Sequence, residues 1–414
     1  MRPDSPRSPP RPNLILDISR LVHAAWSRTP KGIPRVELAY AEHFIANEPD
    51  RLRFTVLDAF GRLRVVDNRS AMTFTRKIAA YWEGNVASTP AYLRIALHAL
   101  WIHLVLMLRP WGNLKQLVAT HPGRLLYIIS SQLQLDRPAL IEELKKAGDL
   151  KLVFFVHDIL PSLFPHFFTD EDARLYHQRM ENAARLADAI VVNSQATAES
   201  FEGRFGRQLT AGTLIVAPPG VALRANVGVP PDLPRQPYFV MLGTIEPRKN
   251  HKLILELWLE LRRELGESTP PLLVVGERGW KNRDVIEILE RCAPLHGIVE
   301  ECGRLPDAAV AGLLKGACAL LLPSFAEGYG LPLAEALTYG TPVLCSDIQV
   351  FREVGGDIPE FLDPADGRAW RAAVHDYAQP HSLRRQAQLR RLASWSRPTW
   401  EQHFAVVAPA LRKL

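Results

Sequence analysis

Short apolar runs, each closed by a turn or polar residue, alternate along this chain with stretches in which apolar positions recur at helical spacing. In the first half the runs are 13–18, 54–57, 125–129, 152–156 and 189–192. In the second they are 238–242, 272–275, 298–300, 319–322 and 342–345. Runs this apolar suit strands covered on both faces, and the helices between them supply the crossovers that parallel strands need. The expected fold class is α/β, with two Rossmann-like, doubly wound parallel sheets. A segment at 218–237 holding six prolines and two glycines separates the two sets and discourages regular structure. The predicted division is a disordered lead at 1–12, a first domain at 13–225, a second at 226–390, and a terminal helical segment at 391–414 with a break at Pro398.

Composition narrows the functional classes. A chain of 414 residues that is 47% apolar can bury two cores of ordinary size, which excludes disorder. The four cysteines (292, 302, 318 and 345) lack metal-ligand spacing, so neither a disulfide frame nor a metal site is expected. The start, MRPDSPRSPPRPN, is polar and proline-rich and does not read as a secretory leader, which points to a cytoplasmic protein. A net charge of +6 invites a nucleic-acid partner, but the cations are scattered and no aromatic-rich basic motif accompanies them. A membrane surface accounts for the charge better. From Tyr92 to Trp111 the chain reads YLRIALHALWIHLVLMLRPW, with 14 residues between Arg94 and Arg109. That is short of the roughly 20 apolar residues of a spanning helix. Two readings remain open: a helix lying flat at the interface on the cytoplasmic face, with Trp101 and Trp111 at headgroup level, or a buried helix of the first domain.

The densest chemistry lies at 317–340, ACALLLPSFAEGYGLPLAEALTYG. An apolar strand ends at Leu322, a glycine-rich turn follows, and Pro332 opens a short helix that Gly340 closes. The amides of Gly328, Tyr329, Gly330 and Leu331, at the positive end of that helix, suit an anion. Glu327 on the turn and Glu335, read as lying in the first helical turn, are carboxylates of the kind that grip sugar hydroxyls. This segment resembles the Glu-x7-Glu signature of the retaining glycosyltransferases of family 4, written here E327-GYGLPLA-E335. The resemblance implies the GT-B fold: two domains facing across a cleft, with the last helix crossing back to the first domain.

A second block follows the strand at 238–242. Gly243-Thr244-Ile245-Glu246-Pro247-Arg248-Lys249-Asn250 forms the turn leaving it. Arg248 and Lys249 at a strand's carboxyl edge would neutralise a departing diphosphate. Lys249 falls on the family's usual Lys, but Thr244 stands where many members carry Arg, so Arg248 is the expected replacement for that charge. The GTIEPRKN wording resembles bacterial mannosyltransferases of surface-polysaccharide assembly. In the first half, His157-Asp158 directly follows KLVFFV and resembles the His-Asp-x-x-Pro stretch of the same members, which implies a contact of His157 with the donor hexose. Where members have a glycine-rich loop near the amino terminus, this chain keeps Gly32 and adds Arg35. Asp170-Glu171-Asp172 reads as the first turn of a helix capped by Thr169 and not as a metal motif.

The expected catalytic set is thus His157, Arg248, Lys249 and Glu327. The expected donor-binding set is Gly32, Arg35, Gly243, Thr244, Gly328 to Leu331, and Glu335, with no metal and no cofactor. The resemblance implies transfer of a hexose, foremost mannose from GDP-mannose, to a lipid-linked oligosaccharide acceptor in exopolysaccharide, capsule or O-antigen synthesis. UDP-glucose, UDP-N-acetylglucosamine and rhamnosyl donors stay open. So do a sugar-nucleotide 2-epimerase and a non-catalytic nucleotide-sugar-binding partner.

Overall fold

The computed structural model describes residues 12–27, 32–58, 60–83, 89–108, 113–132, 134–209, 213–223 and 237–414. The lead at 1–11, residues 28–31, Arg109 and Trp111, and the 225/226 domain boundary lie outside the described residues.

The first sheet contains β1 (Asn13–Asp17), β2 (Leu52–Leu57), β3 (Leu63–Val66), β4 (Leu125–Ile129), β5 (Leu150–Val156), β6 (Ala189–Val192) and β7 (Leu214–Val216). Their order is β3-β2-β1-β4-β5-β6-β7. The second sheet contains β8 (Phe239–Leu242), β9 (Leu272–Val275), β10 (Val299–Gly303), β11 (Ala319–Leu322), β12 (Val343–Ser346) and β13 (Glu360–Leu362), in the order β10-β9-β8-β11-β12-β13. Both orders reverse beside the first strand, between β1 and β4 and between β8 and β11. At such a switch point, adjacent loops diverge at the strands' carboxyl ends and leave a crevice. Each sheet is covered on both faces, the first by clusters around Phe54 and Phe154 and the second by clusters around Trp258 and Phe351.

The all-parallel expectation needs one correction. β3 pairs antiparallel with β2, Phe54 opposite Val66 and Leu57 opposite Leu63. A link as short as 58–62 permits only a hairpin, since a parallel return needs a dozen residues or more. Asp58 builds that turn, its Oδ1 accepting from the amides of Phe60 (2.9 Å) and Arg62 (2.8 Å).

The chain ends in the helix Trp400–Leu411, opened by a capping box between Thr399 and Gln402. It packs on the first sheet, far from its neighbours in sequence. Phe404, Val407 and Leu411 join the cluster of Leu14, Tyr40 and Phe44, and His403 Nε2 meets the Tyr40 hydroxyl at 3.0 Å. Phe404 is almost fully buried and lies edge-on to Tyr40, with ring centroids 5.0 Å apart. Phe404→Ala is expected to destabilise the first domain by about 3 to 4 kcal/mol, read as a lower urea midpoint. An unchanged midpoint would show that this helix is not part of that core.

Candidate functional site

The loops that leave β8 and β11 come together at the second sheet's switch point. β8 runs into Gly243, whose φ of 144° suits glycine. A side chain there would crowd Lys249, since a Cβ would lie 3.2 Å from Lys249 Cε. The Gly243 amide is spent on the Val275 carbonyl at 2.9 Å, so this glycine makes room for the lysine and does not itself bind an anion. A short 3₁₀ turn, Pro247–Lys249, then aims both cations at the β11 loop, and Asn250 in the left-handed region (φ 56°) starts the helix His251–Leu265.

Both cations meet Glu327. Lys249 Nζ is 2.5 Å from Glu327 Oε1, and Arg248 Nη1 is 2.7 Å from Oε2. Ser324 Oγ also donates to Oε1 at 2.7 Å. Arg248 reaches Glu246 Oε1 at 2.6 Å as well, and Nη1 donates to the Ala326 carbonyl at 3.0 Å. Burial alone would raise the Glu327 pKa, but Arg248 and Lys249 outweigh it and hold the carboxyl near about 2. Burial lowers the Lys249 pKa, and Glu327 opposes that shift. Burial also works against the Arg248 charge, but Glu327 and Glu246 overcome it and raise its pKa. Glu246 itself is raised, chiefly by burial. Two acids and two bases thus form a compact set. Arg248, tied to Glu246, Glu327 and a loop carbonyl, braces the turn, while Lys249 carries charge beside Gly243.

The Glu-x7-Glu turn also touches the first domain. Gly328 packs on His157-Asp158, where a Cβ would sit 2.6 Å from Asp158 Cβ, so only glycine fits. Ser194 Oγ and Thr197 Oγ1 donate to the Gly328 carbonyl at 3.2 and 3.0 Å. Gly330 takes φ 97° and opens the helix Leu331–Thr338. Tyr329 turns inward to pack on Val221 and Ala334 and is buried. Glu335 is the fifth residue of its helix. It therefore lies in the second turn and not the first, which moves it off the anion seat and along the cleft wall.

A cleft of about 360 Å³ between the domains collects most of the remaining candidates: Gly32, Arg35, Gly243, Thr244, Leu331 and Glu335. Gly32 begins the helix Gly32–Asn47 and stands in ordinary contact with Leu331, so no close approach requires a glycine there. Arg35 Nη2 reaches across to Asp307 Oδ1 at 2.5 Å. Burial works against its charge, but Asp307 and Glu335 overcome that and raise its pKa.

His157 directly follows β5, with its carbonyl against Gly328 of the Glu-x7-Glu turn. Its Nε2 lies 2.8 Å from the Ser130 carbonyl, which can only accept, so Nε2 carries the proton and Nδ1 is left as an acceptor. Burial lowers the ring's pKa to about 4, which keeps it neutral near pH 7. Asn193 Nδ2 donates to the His157 carbonyl at 2.5 Å. Asp158 Oδ1 caps the next turn by accepting from the Leu160 amide at 3.0 Å. Thr169 caps the Asp170–Leu186 helix as expected, its Oγ1 accepting from the Asp172 amide at 3.1 Å. No cluster of metal-binding side chains occurs among the described residues.

The pattern reading missed Glu246, Glu277, Arg304 and Asp307. Arg304 follows β10, pairs with Glu277 at 3.2 Å, and donates to Ser27 Oγ of the first domain at 2.8 Å. Its position just past a strand's carboxyl end was the available signal. A larger hollow of about 570 Å³, lined by His43, Arg51 and Phe404, lies where β1 and β4 begin, the wrong end of the sheet for a ligand.

Residues 230–364, which hold both loops, match the family model described as Glycosyl transferases group 1. That match covers about a third of the chain. Among curated proteins it is 36% identical over 166 residues to O-antigen chain mannosyltransferase B of Escherichia coli, covering 40% of this chain and 43% of that one. It is 28% identical over 304 residues to the serotype-specific mannosyltransferase WbdA of Escherichia coli, covering 66% of this chain and 36% of that one. The chain therefore spans less than half the length of these relatives. Among solved structures, Anabaena Alr3699/HepE in complex with UDP and glucose superposes with a TM-score of 0.61 at 16% identity, covering 97% of this chain and 100% of that one. Sucrose-phosphate synthase from Thermosynechococcus elongatus also gives 0.61, at 15% identity, covering 97% and 99%. The matched segment thus sits in a GT-B fold, with the helix Trp400–Leu411 crossing back to the first sheet.

Proposed function

We propose that the chain is a retaining hexosyltransferase that moves mannose from GDP-mannose to a lipid-linked oligosaccharide during surface-polysaccharide assembly, working at the cytoplasmic face of the membrane. The observation that carries this reading is the meeting of Lys249, Arg248 and Glu327 at the switch point beside the 360 Å³ cleft, inside the matched segment. The mannosyltransferase names of the relatives favour mannose as the hexose.

In this reading Lys249 and the amides of Gly330 and Leu331, where the helix Leu331–Thr338 opens, hold the diphosphate. Arg248 keeps the turn in place and adds charge. Glu335 takes the ribose, and Glu327 takes donor hexose hydroxyls as the diphosphate draws Lys249 away from it. The neutral His157 accepts from a hexose hydroxyl through Nδ1. As the anomeric bond breaks, charge grows on the leaving phosphate, where Lys249 stabilises it more than it stabilises the bound donor. The leaving phosphate oxygen helps take the acceptor's proton on the same face, so the product keeps the donor's anomeric configuration.

A thermal-shift screen against GDP, UDP, dTDP and ADP sugars tests the donor, since a bound ligand stabilises the native state by mass action. GDP-mannose is expected to give the largest rise in Tm, and a larger rise with a UDP sugar would reassign the donor. Consumption of UDP-N-acetylglucosamine without any acceptor would instead favour a 2-epimerase, and binding without turnover across an acceptor panel would favour a non-catalytic partner.

A further inference from the structure

The apolar segment singled out in the sequence forms the helix Thr89–Leu108, and it is two-faced. Ile95, Ala99, Ile102 and Leu106 are at most 4% exposed and enter the first domain's core. Leu93, Leu97, Leu100, Trp101 and Leu104 are 45 to 62% exposed. Their spacing puts them on one stripe of the helix. A stripe this apolar is not an ordinary solvated surface.

Charged side chains within the two helices that form this face are all basic, with Asp67 and Glu83 standing at the two ends of the second. Arg94 is exposed on the same helix, and Arg69, Arg76 and Lys77 are exposed on the neighbouring helix Asn68–Trp82. Lys77 Nζ lies 3.4 Å from His98, whose ring sits 5.8 Å from that of Trp101, so this cation rims the stripe. Neither helix contains Asp or Glu. At the helix's start, the Tyr92 hydroxyl donates to the Trp26 carbonyl at 3.2 Å, and Trp26 is itself half exposed. The next residue, Ser27, bonds Arg304 on the wall of the cleft. The stripe therefore begins close to the cleft's mouth.

We propose that this solvent-facing side of the 89–108 helix docks on an anionic lipid bilayer, lying flat with its leucines below the headgroups and Trp101, Arg94 and Lys77 among them. No helix among the described residues is long and apolar enough to cross a membrane, which leaves the flat orientation. A second copy of this chain would bring an identical, mainly cationic rim against the first, and like charges oppose that contact. Anionic headgroups complement the same rim, and each nearby cation adds to the attraction. This proposal goes beyond the transferase reading, and its test uses no nucleotide sugar, so either one can fail without the other.

The test is flotation of the full chain with vesicles of phosphatidylethanolamine and phosphatidylglycerol, against vesicles of phosphatidylcholine alone. Wild type is expected to float with the anionic vesicles and much less with the neutral ones. The double variant Leu97→Glu, Leu104→Glu is expected to partition at least about thirtyfold more weakly, from lost apolar burial and added repulsion. Both sites are exposed, so circular dichroism and Tm should stay at wild-type values. Arg76→Glu with Lys77→Glu should abolish the preference for anionic over neutral vesicles. Failure of wild type to float, or equal flotation by folded variants, would overturn the proposal. So would a dimer in light scattering that the leucine variant dissociates, which would assign the stripe to self-association.

Discussion

Lys249→Ala is expected to lower turnover by about a hundredfold or more while leaving the fold intact, because it removes a preplaced charge from the site where the leaving diphosphate gains charge. The loss should fall mainly on kcat, since the interaction strengthens as the anomeric bond breaks. The geometry supports a selective effect. Glu327 keeps Arg248 at 2.7 Å and the Ser324 hydroxyl at 2.7 Å after the lysine is gone, so no buried carboxylate is stranded. Lys249→Arg should rescue poorly, since Gly243 fits closely around the lysine stem and leaves little width for a planar guanidinium. Steady-state kinetics at saturating donor, with circular dichroism to confirm folding, checks both variants. Turnover near wild type in a folded Lys249→Ala protein would remove this residue from the site.

Glu327→Gln should affect stability as well as activity. The substitution keeps the volume but leaves Lys249 and half of the Arg248 fork facing a neutral amide in a buried place. Removing one partner of a buried pair costs about 3 to 5 kcal/mol. The titration gives a similar figure, because bringing a carboxyl from its ordinary 4.5 to about 2 corresponds to roughly 3 kcal/mol. The folded-state pKa is depressed, so this stability is present above about pH 4.5 and is lost as pH falls from there through about 2. Wild type should therefore lose stability across that acid window, and Glu327→Gln should lose less of it while starting lower at pH 7. Urea melts at pH 7 and pH 3 read both effects. Parallel pH curves for the two proteins would mean that Glu327 is not held as an ion in the native state.

The parts of this molecule that were legible in the sequence are those fixed by local pattern. Strands such as Leu125–Ile129 and Ala189–Val192 declare themselves because both faces are buried, so the run is apolar throughout. β3, β7 and β13 do not: each is an edge strand of three or four residues, defined by its one neighbour and not by its own composition. The carboxyl-edge position of His157, Lys249 and Glu327 follows from strand-then-turn order and was readable. Their partners were not. Arg248 on Glu327, and Arg35 on Asp307, join residues far apart in sequence that only packing brings together. The 89–108 helix shows the same limit: its composition announces an apolar element, but which half faces solvent is set by the core it meets.

The most direct test of the central claim, that the switch-point loops clasp an activated sugar by its diphosphate and hydroxyls, is a crystal structure of the chain with GDP bound. The expected density places the diphosphate within hydrogen-bond distance of Lys249 Nζ and of the Gly330 and Leu331 amides, with the ribose against Glu335. Nucleotide density outside the cleft, or in the cleft with the diphosphate turned away from Lys249, would contradict it.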